Sequence, residues 1–309
     1  MFLKFYFKTI CISFIVILLL TACSSNDESL SENTGESITP ATSNLKIEST
    51  NTFCYLKLSA DDYNYWNGNS INSIDATAKL KAFYKKEIYS NLKDDFDFVI
   101  IVMNNTDLPS LPAGGSMPYG EYQHVKNDIQ GIGLELFDHT SEYGSTGKLQ
   151  GVYFLYKNNI DLGPVLHEMC HRWANWAVPQ NYGGHWDKVQ GVLTGAGNSY
   201  ADIELYLAGA IPASQIKDPE SLTIYNDSRF TNKTRTPNSA NSQKSFKSLV
   251  VVMSKTDLTD AEITAFKARI ANITRIPSQG TTNPVYQNIY NKSNGLLTLS
   301  IGQLDASKK

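Results

Sequence analysis

The chain has 309 residues, a formal net charge of −3 and 41% hydrophobic residues. Setting aside an N-terminal leader that carries Lys4 and Lys8 makes the balance more acidic, at −5. A nucleic-acid binder needs a basic stripe, so nucleic acid is excluded as a partner. The apolar content and length suit one large globular domain, or one domain with an appendage.

Residues 1–22 read as a leader rather than as part of the fold. Lys4 and Lys8 make a positive start, and Cys11 to Leu20 is apolar but short for a membrane span. The segment ends Leu20-Thr21-Ala22-Cys23. Small residues before a cysteine resemble a bacterial lipoprotein signal peptide. That resemblance implies cleavage before Cys23, lipidation of Cys23 and a protein tethered at a membrane surface through buried methylene groups. The alternative is an ordinary secretory signal with Cys23 incidental. Residues 23–44 are rich in Ser, Thr, Asn and Glu, with Asp27, Glu28, Glu32 and Glu36, and have too little apolar surface to fold. They read as a disordered acidic tether. Ser24-Ser25-Asn26-Asp27-Glu28 loosely resembles surface-export signals of Gram-negative lipoproteins, which implies a cell-envelope location at the outer membrane or cell surface.

Residues 45–309 form the folded part. Lys46 to Leu58 alternates and contains β-formers, so one strand is predicted there. Asp75 is placed to cap a helix reaching about Leu92, with Leu80, Phe83, Tyr84 and Ile88 on one stripe. Phe96 to Met103 is a continuous apolar strand, and residues 105–120, dense in Pro and Gly, are a long loop. Gly131 to Phe137 and Gly151 to Tyr156 are predicted as two strands. A helix follows over Asp161 to Ala177, with Pro164 tolerated in its first turn and Pro179 marking its end. Tyr200 to Ala210 reads as helical, 212–246 as irregular and Phe246 to Met253 as a strand. Thr259-x-x-Glu262 is a capping box that opens a helix with Ile263, Phe266, Ile270 and Ile273 inward. Leu296 to Ile301 closes the chain as a strand. The fold class is α+β.

The helix over Asp161 to Ala177 carries His167-Glu168-Met169-Cys170-His171, and Gly183-Gly184-His185-Trp186 follows. Three of the chain's five histidines fall in this window. Residues four apart share a helix face, so His167 and His171 can grip one metal ion, with Glu168 beside it as a base. His185, fourteen positions on and after a glycine turn, can be the third ligand. Three protein ligands and an open position are the makeup of a catalytic zinc site. Glu204, in Tyr200-Ala201-Asp202-Ile203-Glu204-Leu205-Tyr206-Leu207, is the rival third ligand. It could instead orient a histidine, or be a carboxylate on a helix surface. Cys170 lies between the histidines, but its spacing turns it away from them. Cys54 and Cys170 form a disulfide or remain two buried thiols; both readings stand. His124 and His139 are expected in solvated loops. Asp187 reads as a surface residue or a support to the third histidine. Tyr182, Tyr200 and Tyr206 are candidates to stabilise an oxyanion, and none is named as catalytic. Trp173, Trp176 and Trp186 read as core or pocket wall.

The order helix, strand, strand pair, then metal helix resembles the zincin metalloprotease fold. There a twisted sheet backs the catalytic helix and an edge strand binds extended substrate; Gly151 to Tyr156 is the expected edge here. His167 to His171 followed by His185 after glycine resembles SprT-like metalloproteases, although Arg172 stands where they have a small residue. Those enzymes are intracellular and act near DNA, so only the ligand arrangement carries over. A glutamate on a second helix is the gluzincin arrangement. Glu204-Leu205-Tyr206-Leu207-Ala208-Gly209, with His171-Arg172-Trp173 and His185-Trp186, also resembles uncharacterised secreted proteins with metalloprotease-like sites. These resemblances imply a zinc metallopeptidase with Glu168 as base and a protein or peptide substrate. The alternatives are a zinc hydrolase acting on cell-wall peptide and a non-catalytic surface lipoprotein that binds a protein or glycan.

Overall fold

The computed structural model describes residues 44–106, 120–174, 185–195, 198–230, 233–277, 287–304 and 308–309. All belong to the second of two units into which the chain divides, Thr42–Lys309. Its elements are β1 (Leu45–Ile47), β2 (Cys54–Lys57), α1 (Ala60–Gly68), α2 (Ile74–Phe83), β3 (Phe98–Met103), β4 (Gly120–His124), β5 (Lys126–Asn127), β6 (Phe137–Asp138), α3 (Thr140–Tyr143), β7 (Gly151–Tyr156), α4 (Pro164–Ala174), α5 (Asp202–Leu207), α6 (Pro219–Asn226), β8 (Ser245–Ser254), α7 (Asp260–Thr274), α8 (Ile289–Lys292) and β9 (Thr298–Ile301).

Seven strands make one mixed sheet in the order β1-β2-β8-β3-β7-β4, with β9 also paired to β8. β8 is long enough to take β9 along Ser245–Ser248 and β2 along Val251–Ser254. β2, β8, β3, β7 and β9 are parallel to their neighbours, whereas β1 and β4 are antiparallel. The unbroken apolar runs of β3 and β8 follow from this, because strands covered on both faces need no polar side. Successive residues of β3 feed opposite layers. Phe98, Ile100 and Val102 pack with Met169 and Trp173 of α4 and Phe266 of α7; Val99, Ile101 and Met103 pack with Trp66, Leu80 and Tyr84. The result is an α+β architecture with α4 lying on β7 and β4. Among the described residues no helix is long and apolar enough to cross a membrane.

Several expectations need correction. Gly151–Tyr156 is a strand but not the edge: β4 pairs antiparallel along its outer side, with Gly120 opposite Leu155 and His124 opposite Gly151. Among the described residues the edge on this side is therefore β4, a strand hidden by its polar GEYQH sequence. Lys46 to Leu58 is not one strand but two, β1 and β2, joined by a turn in which Asn51 takes φ 60°. Ser73, not Asp75, caps α2, accepting from the Ala76 N–H; the chain then continues as a π-turn over Tyr84–Ile88. Gly131 to Phe137 forms no long strand, only the short β6 against β5. The 212–246 stretch contains α6, capped by Asp218. Cys54 and Cys170 are free, buried thiols. They lie in the two layers on opposite faces of the sheet, so no disulfide joins them. The capping box at Thr259 and Glu262 forms as expected, and Phe266, Ile270 and Ile273 of α7 are buried. Pro179, Trp176, Tyr182, Gly183, Gly184 and most of the 105–120 loop lie outside the described residues.

Candidate metal centre

The fixed part of the site is α4. Gly163, at φ +111°, turns the chain into the helix, and Pro164 opens it, where a missing N–H costs nothing. Nearly every residue of α4 is buried, because the sheet lies beneath it and α5 packs beside it. One turn apart on this helix, His167 and His171 stand with ring centroids 4.9 Å apart. His185 enters from the following loop and stacks on His167 at 4.7 Å, 5.3 Å from His171. One nitrogen from each of the three rings lies within 4.8 Å of the others, and no other such cluster occurs among the described residues.

The hydrogen bonds settle the state of His167. Its Nδ1 lies 2.8 Å from the Val192 carbonyl, which can only accept, so the ring proton sits on Nδ1. The Nε2 lone pair then faces His185 Nε2 at 2.8 Å. There it can accept an N–H from His185 or share a metal ion with it. Burial, and secondarily His185, pull the His167 pKa down to about 4 against the opposing Val192 bond. The imidazole is therefore neutral at pH 7, the form that ligates metal. Three imidazoles with no thiolate or carboxylate among them fit a zinc ion that keeps an open position.

Glu168 points from α4 toward the first residue of β4. A Cβ added to Gly120 would come within 2.7 Å of Glu168 Oε1 and 2.9 Å of the Leu155 side chain, so the carboxyl lies directly on the strand backbone. Burial, with a smaller contribution from the Glu121 charge, pushes the Glu168 pKa up to about 8. Glu121 is itself buried, accepting from Ser70 Oγ and from the Ile71 N–H at 2.9 Å. A nearby dication would favour the ionised, proton-accepting form of Glu168.

Glu204 stands outside the histidine cluster and is fully buried. Its carboxylate accepts four N–H groups: Trp186 Nε1 at 2.7 Å, Ala201 at 2.8 Å, and Val192 and Leu193 at 3.0 Å. Burial raises its pKa while these donors oppose the shift. It is thus neither a surface carboxylate nor available as a ligand. It positions the site, holding Trp186 beside His185 and Val192 beneath His167. Gly191 permits this approach, since a Cβ there would overlap the Glu204 carboxylate.

The remaining candidates fall away from the centre. Tyr200 OH donates to the Leu166 carbonyl at 3.2 Å, and Tyr206 OH to the Lys233 carbonyl, so neither hydroxyl is directed at an oxyanion. Cys170 is buried on the core side of α4, as its spacing required. Asp187 is exposed. His139 is exposed beside Glu142, but His124 is not solvated. It packs against Tyr122 and Phe137, and burial, then the Arg172 charge, lower its pKa to about 3. Trp173 and Trp186 are core residues. Sequence reasoning missed Val192 and Gly120, whose contributions are a carbonyl and an absent side chain.

No protein-family model, curated protein or solved structure matches this chain.

Proposed function

We propose that this protein is a zinc metallopeptidase of zincin type, held at the cell envelope by lipid on Cys23, that hydrolyses peptide bonds in protein or peptide substrates. The observation that carries the proposal is the convergence of His167, His171 and His185 within 4.8 Å, with Glu168 on the same helix against the edge strand. His167, His171 and His185 would hold the ion, which when bound acts as a Lewis acid and lowers the pKa of its water to about 7. Glu168 takes the proton of the attacking water and returns it to the leaving amine. The antiparallel strand β4 pairs with β7 on one side only among the described residues. Its outer edge offers main-chain hydrogen bonds to an extended peptide, which would bring a scissile carbonyl toward Glu168. The Val192 bond to the half-buried His167 and the seat of the Glu168 carboxyl on the Gly120 backbone keep both groups fixed before substrate arrives, which lowers the cost of reaching the reactive geometry.

The test uses zinc content and turnover together, against a panel of protein and cell-wall peptide substrates. Glu168→Gln should retain zinc and lose about 10²–10⁴-fold in turnover. His185→Ala should lose the zinc itself. Retained peptidase activity in Glu168→Gln, or no zinc in the wild type after reconstitution, would end the proposal.

A further inference from the structure

At the C-terminal end of α4, on the same stripe as Glu168 but one turn on, Arg172 is 1% exposed. Its guanidinium and that of Arg235, 6% exposed, line one cavity of about 240 Å³ with Asp128, Gln150, Asn241 and Gln243. That volume is below the roughly 300 Å³ at which drug-sized sites begin, and suits a small polar ligand or one side chain.

The charges around this cavity do not balance. Arg172 Nη2 bonds Asp128 at 2.9 Å, and Lys126 bonds the other oxygen of the same carboxylate at 3.0 Å. The rest of Arg172 is taken up by neutral oxygens, Gln150 Oε1 at 3.2 Å and Asn127 Oδ1 at 3.3 Å. Among the described residues Arg235 bonds neutral acceptors: the Leu207 carbonyl at 2.7 Å, the Pro237 carbonyl and Ser242 Oγ. No carboxylate lies within ion-pair distance of Arg235 among the described residues, and none of those residues takes a hydrogen bond from its Nη2. Burial and then the Arg172 charge bring its pKa down to about 10, so it is still a cation at pH 7. Asp128 attracts Arg235 from beyond ion-pair distance, but that carboxylate is already bonded by Arg172 and Lys126, and a buried cation with so little counter-charge is costly. A planar guanidinium fork is also the donor best matched to carboxylate and phosphate oxygens.

We infer that this cavity binds a small oxyanion, a carboxylate or a phosphate group, between the guanidinium groups of Arg172 and Arg235. Arg172 is largely committed to joining α4 to the β5 loop, so Arg235 reads the ligand through its remaining donors. The inference is independent of the metal reading, because none of the three histidines or Glu168 lines the cavity.

Titration calorimetry tests it with orthophosphate and, separately, acetate, added to full-length protein carrying His185→Ala, so that no metal ion competes for the anion. One binding event per chain is expected, and the anion that binds identifies the chemistry. Arg235→Gln should weaken it about tenfold or more, the value of a charge-assisted hydrogen bond. Asn241→Asp guards against misfolding of that variant. It is isosteric, at an exposed position, and should weaken binding similarly by placing a negative charge on the cavity wall. If neither anion binds in the millimolar range, or if the folded variants bind as tightly as their parent, the inference is overturned.

Discussion

The candidate base of the site is held by the absence of an atom. Gly120 has no side chain, and Glu168 occupies the space where one would be. Gly120→Ala should therefore push Glu168 off its position without touching any of the three histidines. The expected result is a fall in kcat of about 10²-fold, the scale of a misplacement near 1 Å, with zinc content unchanged. Loss of zinc in that variant would mean that the strand and the metal centre move as one unit. The histidines and Glu168 were legible in the sequence because their chemistry lies in the side chain and their spacing is that of a helix turn. Gly120 and the Val192 carbonyl were not, since contributions made by backbone leave no periodic or compositional mark. Glu204 was visible as a residue of interest, but its role was not. A carboxylate on a short helix looks the same in sequence whether it meets a metal ion or four N–H groups.

At the scale of elements, two carboxylates each organise a loop. Glu204 ties the His185 loop to α5, and Glu204→Gln would turn an amide donor toward N–H groups that need an acceptor. A destabilisation of about 1–3 kcal/mol is expected in urea unfolding. Zinc affinity should also fall about 10–100-fold, as it does when the supports of metal ligands are removed. A full loss of zinc with no change in stability would instead make Glu204 a ligand. Glu48 does the same for the turn between β1 and β2, accepting from Thr50 N at 2.8 Å, Thr50 Oγ1 at 2.7 Å, and Thr52 N and Oγ1 at 2.6 Å. Burial pushes its pKa up, but these bonds outweigh it and leave the value at about 2. The folded value lies below the unfolded one, so its stabilisation is present above about pH 4.5 and disappears as pH falls toward 2. Its size is on the order of 3 kcal/mol. Acid unfolding of Glu48→Gln should show a shallower loss of stability across that window; identical slopes would remove Glu48 from the acid response. The turn at 48–53 was missed because alternation continues across it, and β4 because a polar edge strand beside a Pro/Gly-rich loop carries no apolar run. β3, β7 and β8, buried on both faces, announced themselves as continuous apolar runs.

For the molecule as a whole, the candidate centre joins parts of the chain that the sheet alone does not connect. His167 and His171 belong to a helix packed on β7 and β4, whereas His185 arrives on a loop anchored to α5 through Glu204. An ion bound by all three histidines favours the folded state over an unfolded chain, in which His185 is not held near the other two. Zinc at about 100 times its Kd should add roughly 2.7 kcal/mol of stability. For a domain of this size that corresponds to a rise in Tm of about 5–10 °C. The control is His185→Ala, which keeps the helix pair but breaks the link to the loop, and should lose most of the rise. Measured by calorimetry on the full chain, an equal rise in both proteins would place the ion on the helix alone and remove the loop from the site. A rise confined to the wild type would mean that the same contact that completes the metal centre also closes the fold around it. The lower pKa of His167 adds a dependence that the same experiment can read. A neutral His167 is ready for the ion down to about pH 4, so protons compete for this ligand less than they would for an ordinary exposed histidine, whose pKa is about 6.5.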